Sequence, residues 1–227
     1  DAMGLLAPVR DQAQPLHHMR LMNDQGELRD QPEAVTFDGS AGMPLALNIP
    51  NQALMAVLAD KIAEPENQID CLWGTRITAA DEAAGQARLT LDTRAIVSAP
   101  MALAANGRTS TLRDLLGIKW QGGSTHQTAL TARLRHARPH ESISTEFHRH
   151  AGPMTFVPVN GDGNETALVW CLNNGVADQV SALDDAAFRQ RVQIASRGIL
   201  GEIESLHSRG RFPVRPGMAA TLHQGPF

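Results

Sequence analysis

The sequence predicts a mixed α+β protein whose sheet is mostly antiparallel. Short strand-like segments dominate the chain after residue 125, and helical patterns separate groups of strands instead of following each strand. Repeated βαβ units, which would indicate a parallel sheet, are not seen. We expect strands, helix, strands, helix, antiparallel strands and a last helix, within one large or two small domains for 227 residues.

Short strands surround the first clear helix. Three are expected before it, with a turn at Asp24–Gly26: His18–Asn23, Val35–Phe37 and Leu45–Ile49. Asn51 is a suitable N-cap for the helix, and Pro65 marks its end. Its apolar side chains recur at helical spacing on one face: Leu54, Val57, Leu58 and Ile62. The apolar runs after it predict four more strands: Ile69–Trp73, Arg76–Ala79, Ala87–Leu91 and Ala95–Val97.

The rest of the chain begins with an apolar strand from Met101, a glycine turn, and a helix capped by Ser110 and ended by Gly117. Strands follow at Thr128–Leu134, Ser142–His148, Met154–Val159 and Ala167–Leu172. Asn160–Asn164 is a strong hairpin signal between the last two. An amphipathic helix at Ala182–Leu200 and a short strand at Phe212–Val214 complete the prediction.

Composition excludes several classes of protein. With 20 Lys and Arg against 24 Asp and Glu, and no basic run, the chain has no footprint for nucleic acid. No segment reaches the roughly 18–20 consecutive apolar residues of a membrane helix. Cys71 and Cys171 lie in apolar, strand-like runs, which predicts two buried free thiols in a reducing compartment and a cytoplasmic protein.

The densest polar cluster contains five residues: His136, His140, Glu146, His148 and His150. Two histidines two residues apart on a strand project to one face, so His148 and His150 could reach one metal ion. The alternative is that these histidines lie at the open edge of a sheet and meet water. No further ligand falls at a familiar spacing, so we expect no metal.

Asn106-Gly107-Arg108 follows the apolar run from Met101. A glycine at a strand-to-helix turn lets backbone N–H groups approach a phosphate, and an arginine can pair with it. An ordinary helix cap is the alternative explanation. The opening Gly-x-Gly-x-x-Gly of dinucleotide-binding proteins is absent, as are the P-loop and the Gly-x-Ser-x-Gly elbow.

Several motifs in order resemble one family. Residues 101–118 are similar to the second flavin motif of flavoprotein aromatic hydroxylases, an apolar strand followed by Ala-Asp-Gly-Arg-x-Ser-x-Val-Arg and Gly-Ile. Six further segments resemble the ubiquinone-biosynthesis hydroxylases, particularly the bacterial ones: Pro15–Arg20, Asn48–Asn51, His126–Leu130, His136–His148, Gly152–Pro158 and Ala167–Trp170. The chain resembles the central portion of that family, without its opening Gly-x-Gly-x-x-Gly and closing Gly-Asp-Ala-Ala-His motifs.

The resemblance implies a fold and a chemistry. It places residues 1–50 and 121–227 mainly in a substrate lobe with an antiparallel sheet, and residues 51–120 in part of an FAD-binding lobe. In that family NAD(P)H reduces the FAD, which reacts with O2 and passes one oxygen atom to a phenolic ring. A polyprenylated phenol is the implied substrate, no metal is needed, and association with the inner membrane or a biosynthetic complex is implied.

The resemblance also implies roles for individual residues. Asn51, Asn106, Gly107 and Arg108 match cofactor-binding positions, and no catalytic residue is assigned. Three apolar residues match the lining of the ring pocket, with ordinary sheet core as the alternative: Val157, Val159 and Trp170. Two departures stand out, because Asn106 replaces the family's Asp and His126 replaces a usual aromatic residue.

Two functional hypotheses follow. The first is a flavin-dependent monooxygenase that hydroxylates the ring of a polyprenylated phenol in ubiquinone biosynthesis. The second is a domain derived from that family that binds a ligand or partner and catalyses no reaction. A histidine-metal enzyme is a third hypothesis, supported only by the cluster between His136 and His150.

Overall fold

The computed structural model describes residues 3–23, 34–40, 43–159 and 161–227 and confirms the α+β class. The helices in these ranges are α1 (Leu6–Val9), α2 (Asn51–Ala63), α3 (Thr111–Leu115), α4 (Asn174–Ser181) and α5 (Asp185–Ala195). The strands are β1 (Gln14–Leu16), β2 (His18–Asn23), β3 (Ala34–Asp38), β4 (Ala46–Asn48), β5 (Ile77–Ala83), β6 (Gln86–Leu91), β7 (Ile96–Ala99), β8 (Trp120–Gly122), β9 (Gln127–His136), β10 (Ile143–His148), β11 (Met154–Pro158), β12 (Glu165–Asn173), β13 (Ile203–Pro213) and β14 (Gly217–Ala219). Among the described residues, every helix is too short or too polar to span a lipid bilayer.

The chain divides into two compact units. The first contains residues 1–67 and 126–214, and the second contains residues 68–125 and 215–227. Helix α2 therefore lies in the first unit. The predicted lobe boundaries at residues 50 and 120 concern which segments hold flavin and which hold substrate. They stay a prediction, because compactness does not report on ligand binding.

A seven-stranded sheet organises the first unit, in the order β13-β9-β12-β11-β10-β2-β3. Every neighbouring pair is antiparallel except β10 with β2, which confirms the mostly antiparallel prediction. Burial alternates strictly along β11 and nearly so along β9 and β12, because successive side chains of a strand point to opposite faces. We call the buried side the core face and the other side the open face.

The core face packs against α4 and α5. Its apolar side chains, together with those of the two helices, form one buried cluster that includes Leu134, Phe147, Phe156, Leu168 and Trp170. Each large side chain buried in this way stabilises the fold by about 1.5–3 kcal/mol. The sheet is therefore held from one side, and its open face is not part of this cluster.

The helix predicted at 182–200 is wrong in extent, because it corresponds to the shorter α5 (Asp185–Ala195), and α4 (Asn174–Ser181) was not predicted. Asp184 has extended backbone (φ −65°, ψ 171°), and its side chain accepts a 2.8 Å hydrogen bond from the Ala187 amide. This N-cap begins α5 and separates it from α4, which periodicity did not reveal. Helix α5 ends at Ala195, and Gly198 adopts a positive φ of +63° shortly afterwards.

The second unit contains the antiparallel meander β5-β6-β7 and the pair β8-β14. The Trp120 ring packs directly against the backbone of Gly217 in this pair. A Cβ atom added to Gly217 would lie 2.5 Å from that ring, so the position has no room for a larger residue. The Arg113 guanidinium lies over the Trp120 ring, 5.3 Å from its centroid. Helix α3 begins as predicted, with the Ser110 hydroxyl accepting from the Arg113 amide at 3.2 Å.

Other sequence predictions differ from the structure. Ile69–Trp73 and Met101–Ala105 form no strand, because an apolar run becomes a strand only where another backbone pairs with it. Asn51 is the first residue of α2 rather than its N-cap, which is Pro50. Cys71 is exposed and Cys171 is half-buried, so the prediction of two buried thiols is wrong; both are free. The predicted turn at Asp24–Gly26 and Asn160 of the predicted hairpin lie outside the described residues.

Gly152 offers a test of the packing before β11. Its φ is +124°, and an added Cβ would lie 2.7 Å from the backbone oxygen of Cys171. Gly152→Ala should lower the free energy of unfolding by about 1–3 kcal/mol more than Gly163→Ala does, measured by urea denaturation. Gly163 is a matched control, because its φ is also positive (+88°) but its nearest neighbour would be 4.0 Å away. Equal losses would show that the approach to Cys171 is not tight.

Candidate functional site

The loop Asn106-Gly107-Arg108 lies on the surface of the second unit. Gly107 has φ +83°, in the left-handed region that glycine adopts most easily, and nothing lies within 4 Å of an added Cβ. The Arg113 side chain donates a 2.6 Å hydrogen bond to the Arg108 carbonyl, and the Ser110 cap holds the next turn. The loop is therefore anchored at its C-terminal side while its tip is open.

The tip of this loop has unused hydrogen-bond donors. The amides of Asn106, Gly107 and Arg108 donate to no residue that the structure describes. The Arg108 guanidinium likewise makes no ion pair within the described ranges. Backbone N–H groups with an adjacent guanidinium are suited to phosphate oxygens.

The start of α2 is connected to the end of β11. The Asn48 side-chain amide donates a 2.7 Å hydrogen bond to the carbonyl oxygen of Pro158, which places the turn before Asn51 against the end of the strand. Asn51 is exposed, and no cap hydrogen bond is formed by a side chain at this helix start. The Asn48–Pro158 hydrogen bond thus joins the segment that contains Asn51, a predicted cofactor residue, to the strand end that contains Val157 and Val159, two predicted substrate residues.

The structure separates the three predicted pocket residues. Trp170 is opposite Met154 on the core face and is only 3% exposed. Val157 is opposite Ala167 on the open face, where it is half-buried. The Val159 amide extends the ladder by donating to the Glu165 carbonyl at 3.2 Å, so alternation keeps Val159 on the face of Val157. Trp170 therefore does not share a surface with the two valines.

A groove that the sequence did not reveal lies at the β2-β3 end of the first unit. Its volume is about 380 Å³. The lining residues are mostly apolar: Leu16, His18, Met19, Phe37, Leu45, Ala46 and Ser144. Among the residues that the structure describes, no Lys, Arg, Asp or Glu lines it. Met19 and Phe37 are paired across β2 and β3, and Leu45 is held by a 2.8 Å bond from its amide to the Leu16 carbonyl.

The groove and the predicted valines lie close in the sheet. Ser144 on β10 contributes to the groove, and its hydroxyl is 3.5 Å from the Phe156 carbonyl on β11. Val157 is the next residue of that strand, although neither it nor Val159 is among the lining residues. The alternating apolar residues of β2 and β3 were visible in the sequence, but only their pairing places Met19 beside Phe37.

The expectation that the histidine cluster meets water is confirmed for the exposed His148 and His150 and is wrong for His136 and His140. His136 and His140 are buried, at 0% and 6% exposure. His148 is exposed and lies 3.0 Å from the Glu146 carboxylate. Among the described residues, no three His, Cys, Asp or Glu side chains form a group that could hold a metal ion. The metal hypothesis therefore has no support from this cluster.

Burial changes the titration of the two inner histidines. It lowers the pKa of His136, against the raising effect of a hydrogen bond to the Arg138 carbonyl. It also lowers the pKa of His140, against the raising effect of the Val159 carbonyl and of Asp162. Both rings are therefore more strongly neutral than a histidine in water.

With this geometry established, comparison with known sequences identifies the family. The sequence model of a family described as "FAD binding domain" matches residues 1–226. The chain belongs to this family. A structure of a four-site variant of PqsL from Pseudomonas aeruginosa has the same fold, with a TM-score of 0.72 and 20% identity over 94% of this chain and 59% of PqsL.

Two curated relatives are longer than this chain. The uncharacterized protein slr1300 of Synechocystis is 28% identical over 127 residues, which are 56% of this chain and 29% of slr1300. The ubiquinone hydroxylase UbiL of Rhodospirillum rubrum is 24% identical over 193 residues, which are 85% of this chain and 43% of UbiL. The match thus spans less than half the length of each relative.

The loop at 106–108 fits the nucleotide that the family name specifies. FAD carries a pyrophosphate, and the loop combines amides and a guanidinium that have no partner among the described residues with a glycine that leaves the surface open. Asn106 keeps a hydrogen-bonding side chain where the family motif has Asp, and it brings no negative charge toward a phosphate. The assignment of Asn51, Asn106, Gly107 and Arg108 to the cofactor stays a prediction.

Stability should fall in mild acid because of the two buried histidines. Their folded-state pKa values lie below the ordinary value of about 6.5, so the unfolded chain binds more protons below that pH. Their contribution is complete above about pH 6.5 and is lost as the pH falls toward the folded-state pKa values. Urea denaturation between pH 8 and 5 measures this slope.

Two variants identify the groups that cause the slope. Replacing His136 and His140 together with Gln should flatten it below pH 6.5. Replacing the exposed His148 with Gln should leave it unchanged. An unchanged slope in the double variant would show that other groups control the acid response.

Proposed function

We propose that these residues belong to an FAD-dependent monooxygenase that hydroxylates the ring of a polyprenylated phenol in ubiquinone biosynthesis, using NAD(P)H and O2. The observation that carries this proposal is the apolar groove, whose described lining contains no Lys, Arg, Asp or Glu, in a chain of the FAD binding domain family. The name of UbiL, a ubiquinone hydroxylase, supports the pathway.

The flavin side of the proposal depends on surface donors. Asn106, Gly107 and Arg108 would bind the pyrophosphate through amides and the guanidinium, and Asn51 would lie toward the flavin. Bound FAD, once reduced by NAD(P)H, supplies the reaction with O2 that yields the oxygen atom for the ring. The protein's residues contribute binding, orientation and the exclusion of water.

The substrate side depends on the chemistry of the groove. A carboxylated phenol needs a cation to compensate its desolvated charge, and neither Lys nor Arg is among the described residues that line the groove. An apolar chain gains roughly 25 cal/mol for each Å² of its surface removed from water. A neutral phenol with an isoprenoid substituent therefore fits best, with the Ser144 hydroxyl as a polar contact for the ring hydroxyl.

The remaining predicted residues take separate roles in this arrangement. Val157 and Val159 would extend the apolar surface from the groove along the open face. Trp170 would support β11 and β12 from the core face. Because a polyprenylated phenol dissolves in lipid, we propose a cytoplasmic protein that works at the periphery of the inner membrane or within a biosynthetic complex.

Arg108→Ala tests the flavin part of the proposal. FAD titrated into the purified chain should give a flavin absorption spectrum that stays with the protein on gel filtration. The variant should bind FAD at least about tenfold more weakly, because a charge-assisted hydrogen bond contributes roughly 1.5–3 kcal/mol. Binding is measured by quenching of flavin fluorescence.

Arg94→Ala is the control for Arg108→Ala. Arg94 is also an exposed arginine of the second unit, in the turn before β7, so its loss changes the net charge equally. Its replacement should leave FAD binding unchanged. A chain that takes up no FAD would contradict the flavin part and favour the non-catalytic binding domain.

Phe37→Asp tests the groove. A phenol carrying a farnesyl chain should bind the purified chain saturably, whereas 4-hydroxybenzoate should not, measured by isothermal titration calorimetry. Phe37→Asp should weaken binding of the farnesylated phenol at least tenfold, because an aromatic contact of about 1.5–3 kcal/mol is lost.

Val35→Asp provides the matched control. It introduces the same charge on the same strand at an exposed residue that does not line the groove. Its affinity for the farnesylated phenol should stay within about twofold of the unmodified chain. Preferential binding of 4-hydroxybenzoate, or equal losses in the two variants, would contradict the proposed substrate class.

A further inference from the structure

Three polar atoms at one end of the sheet core are buried without a hydrogen-bond partner. They are His136 Nε2, His140 Nε2 and Thr166 Oγ1, on side chains of residues that are 0%, 6% and 0% exposed. Within the described part of the chain, no other buried side-chain nitrogen or oxygen is in this state. A buried polar atom without a partner costs roughly 1–3 kcal/mol, so three at one place call for an explanation.

Two of the three residues, Thr166 and His136, occupy neighbouring positions on the core face, and His140 lies in the β9-β10 connection. Thr166 on β12 is directly opposite Leu134 on β9, and His136 follows Leu134 by two residues on the same face. Side chains at such diagonal positions reach one another when one is a ring. The His136 and His140 ring centroids are 6.3 Å apart, in an edge-to-face arrangement. Strand register thus relates Thr166 to His136, and the ring contact relates His136 to His140.

The hydrogen bonds of the two rings determine which nitrogen carries each proton. His136 Nδ1 lies 2.8 Å from the Arg138 carbonyl, which can only accept, so Nδ1 carries the proton and Nε2 has a lone pair. His140 Nδ1 accepts from the Ser142 amide at 3.0 Å, so its proton is on Nε2. One ring thus presents an acceptor and the other a donor.

We propose that this pocket, His136, His140 and Thr166, binds one internal water molecule. The water would accept from His140 Nε2–H, donate one hydrogen to His136 Nε2, and use its remaining capacity on the Thr166 hydroxyl. Three protein partners are the usual number for a buried water. One molecule would satisfy all three atoms. Because burial lowers the pKa of both rings, each stays neutral, so His136 Nε2 keeps its lone pair and His140 Nε2 keeps its single proton.

Other occupants or pairings satisfy the atoms less well. A metal ion needs a lone pair from each ring, but His140 Nε2 carries a proton while Nδ1 accepts from Ser142. The Val159 carbonyl faces the His140 ring and raises its pKa, yet it does not reach hydrogen-bond geometry with Nε2. A direct bond between the two rings is likewise absent.

The water would join the β9-β10 connection to β12. Two backbone bonds already join this region to the segment just before β12: the His136 amide at the end of β9 donates to the Asn164 carbonyl at 2.9 Å, and the His140 amide donates to the Gly163 carbonyl at 2.9 Å. The motif His136-Ala-Arg-Pro-His140 therefore has a structural role, separate from flavin and substrate. It holds the end of the sheet where β11 finishes.

Nuclear magnetic resonance on the unmodified chain at pH 7.5 tests the pocket directly. ¹⁵N-histidine spectra should show His136 protonated at Nδ1 and His140 at Nε2. The His140 Hε2 proton should show a cross-relaxation peak to a water molecule that exchanges slowly with solvent. The opposite tautomer of either ring, the lack of that water peak, or a stoichiometric metal ion in elemental analysis would overturn the proposal.

Coupling between variants tests whether the three groups share one ligand. Thr166→Val and His136→Phe should each lower the folding equilibrium constant, and the double variant should lose at least fivefold less than the product of the single losses. Thr128→Val is the matched control, because Thr128 is buried on the same strand as His136 but bonds Asn174 at 2.9 Å. The folding equilibrium constant of the Thr128→Val, His136→Phe double variant should fall by the product of the two single losses, within twofold. Independent effects of Thr166→Val and His136→Phe would also overturn the proposal.

Discussion

The packing of one face of the seven-stranded sheet against α4 and α5 is the constraint on which the other features depend. Alternation along β9, β11 and β12 sends every second side chain into that contact. Phe156 and Trp170 lie there, buried with the helices. Because the buried set must stay on this face, the register of each strand is determined, and the intervening residues must line the open face.

The open face is where the sheet can meet a ligand. Val157 lies on it by alternation, and the groove at Met19 and Phe37 continues it toward the β2-β3 edge. The hydrogen bond from Asn48 to Pro158 brings the start of α2 to the same end of β11. Because the sheet is stabilised by the packing of its core face, the apolar residues of the open face are not required for that packing.

Polar groups in the core are tolerated only where their hydrogen bonds are completed. His136 and His140 were expected at a wet sheet edge, because a histidine-rich connection between strands is usually on the surface. The structure buries them against Thr166 and lowers the pKa of each ring. The proposed internal water completes their bonding at positions where apolar side chains would otherwise pack.

The amino-acid sequence alone determined the local elements and the family resemblance. Strand periodicity located β2, β9 and β10 closely, and Ser110 was a correct cap, because alternation and side-chain capping act over a few residues. The motif around Gly107 likewise indicated a flavin-related chain before the family match. Helix α4 escaped prediction, and the helix predicted at 182–200 began before the Asp184 cap and ran past Ala195, where α5 ends.

Only the tertiary structure decided which residues share a surface. Ile69–Trp73 and Met101–Ala105 have the composition of strands, but strand formation requires a partner backbone that local sequence does not specify. Trp170 and Val157 are both apolar and lie on adjacent strands, yet the pairing register sends them to opposite faces. The groove at Phe37 and the burial of His136 arise in the same way, because each depends on residues that are distant in the chain and meet only in the folded sheet.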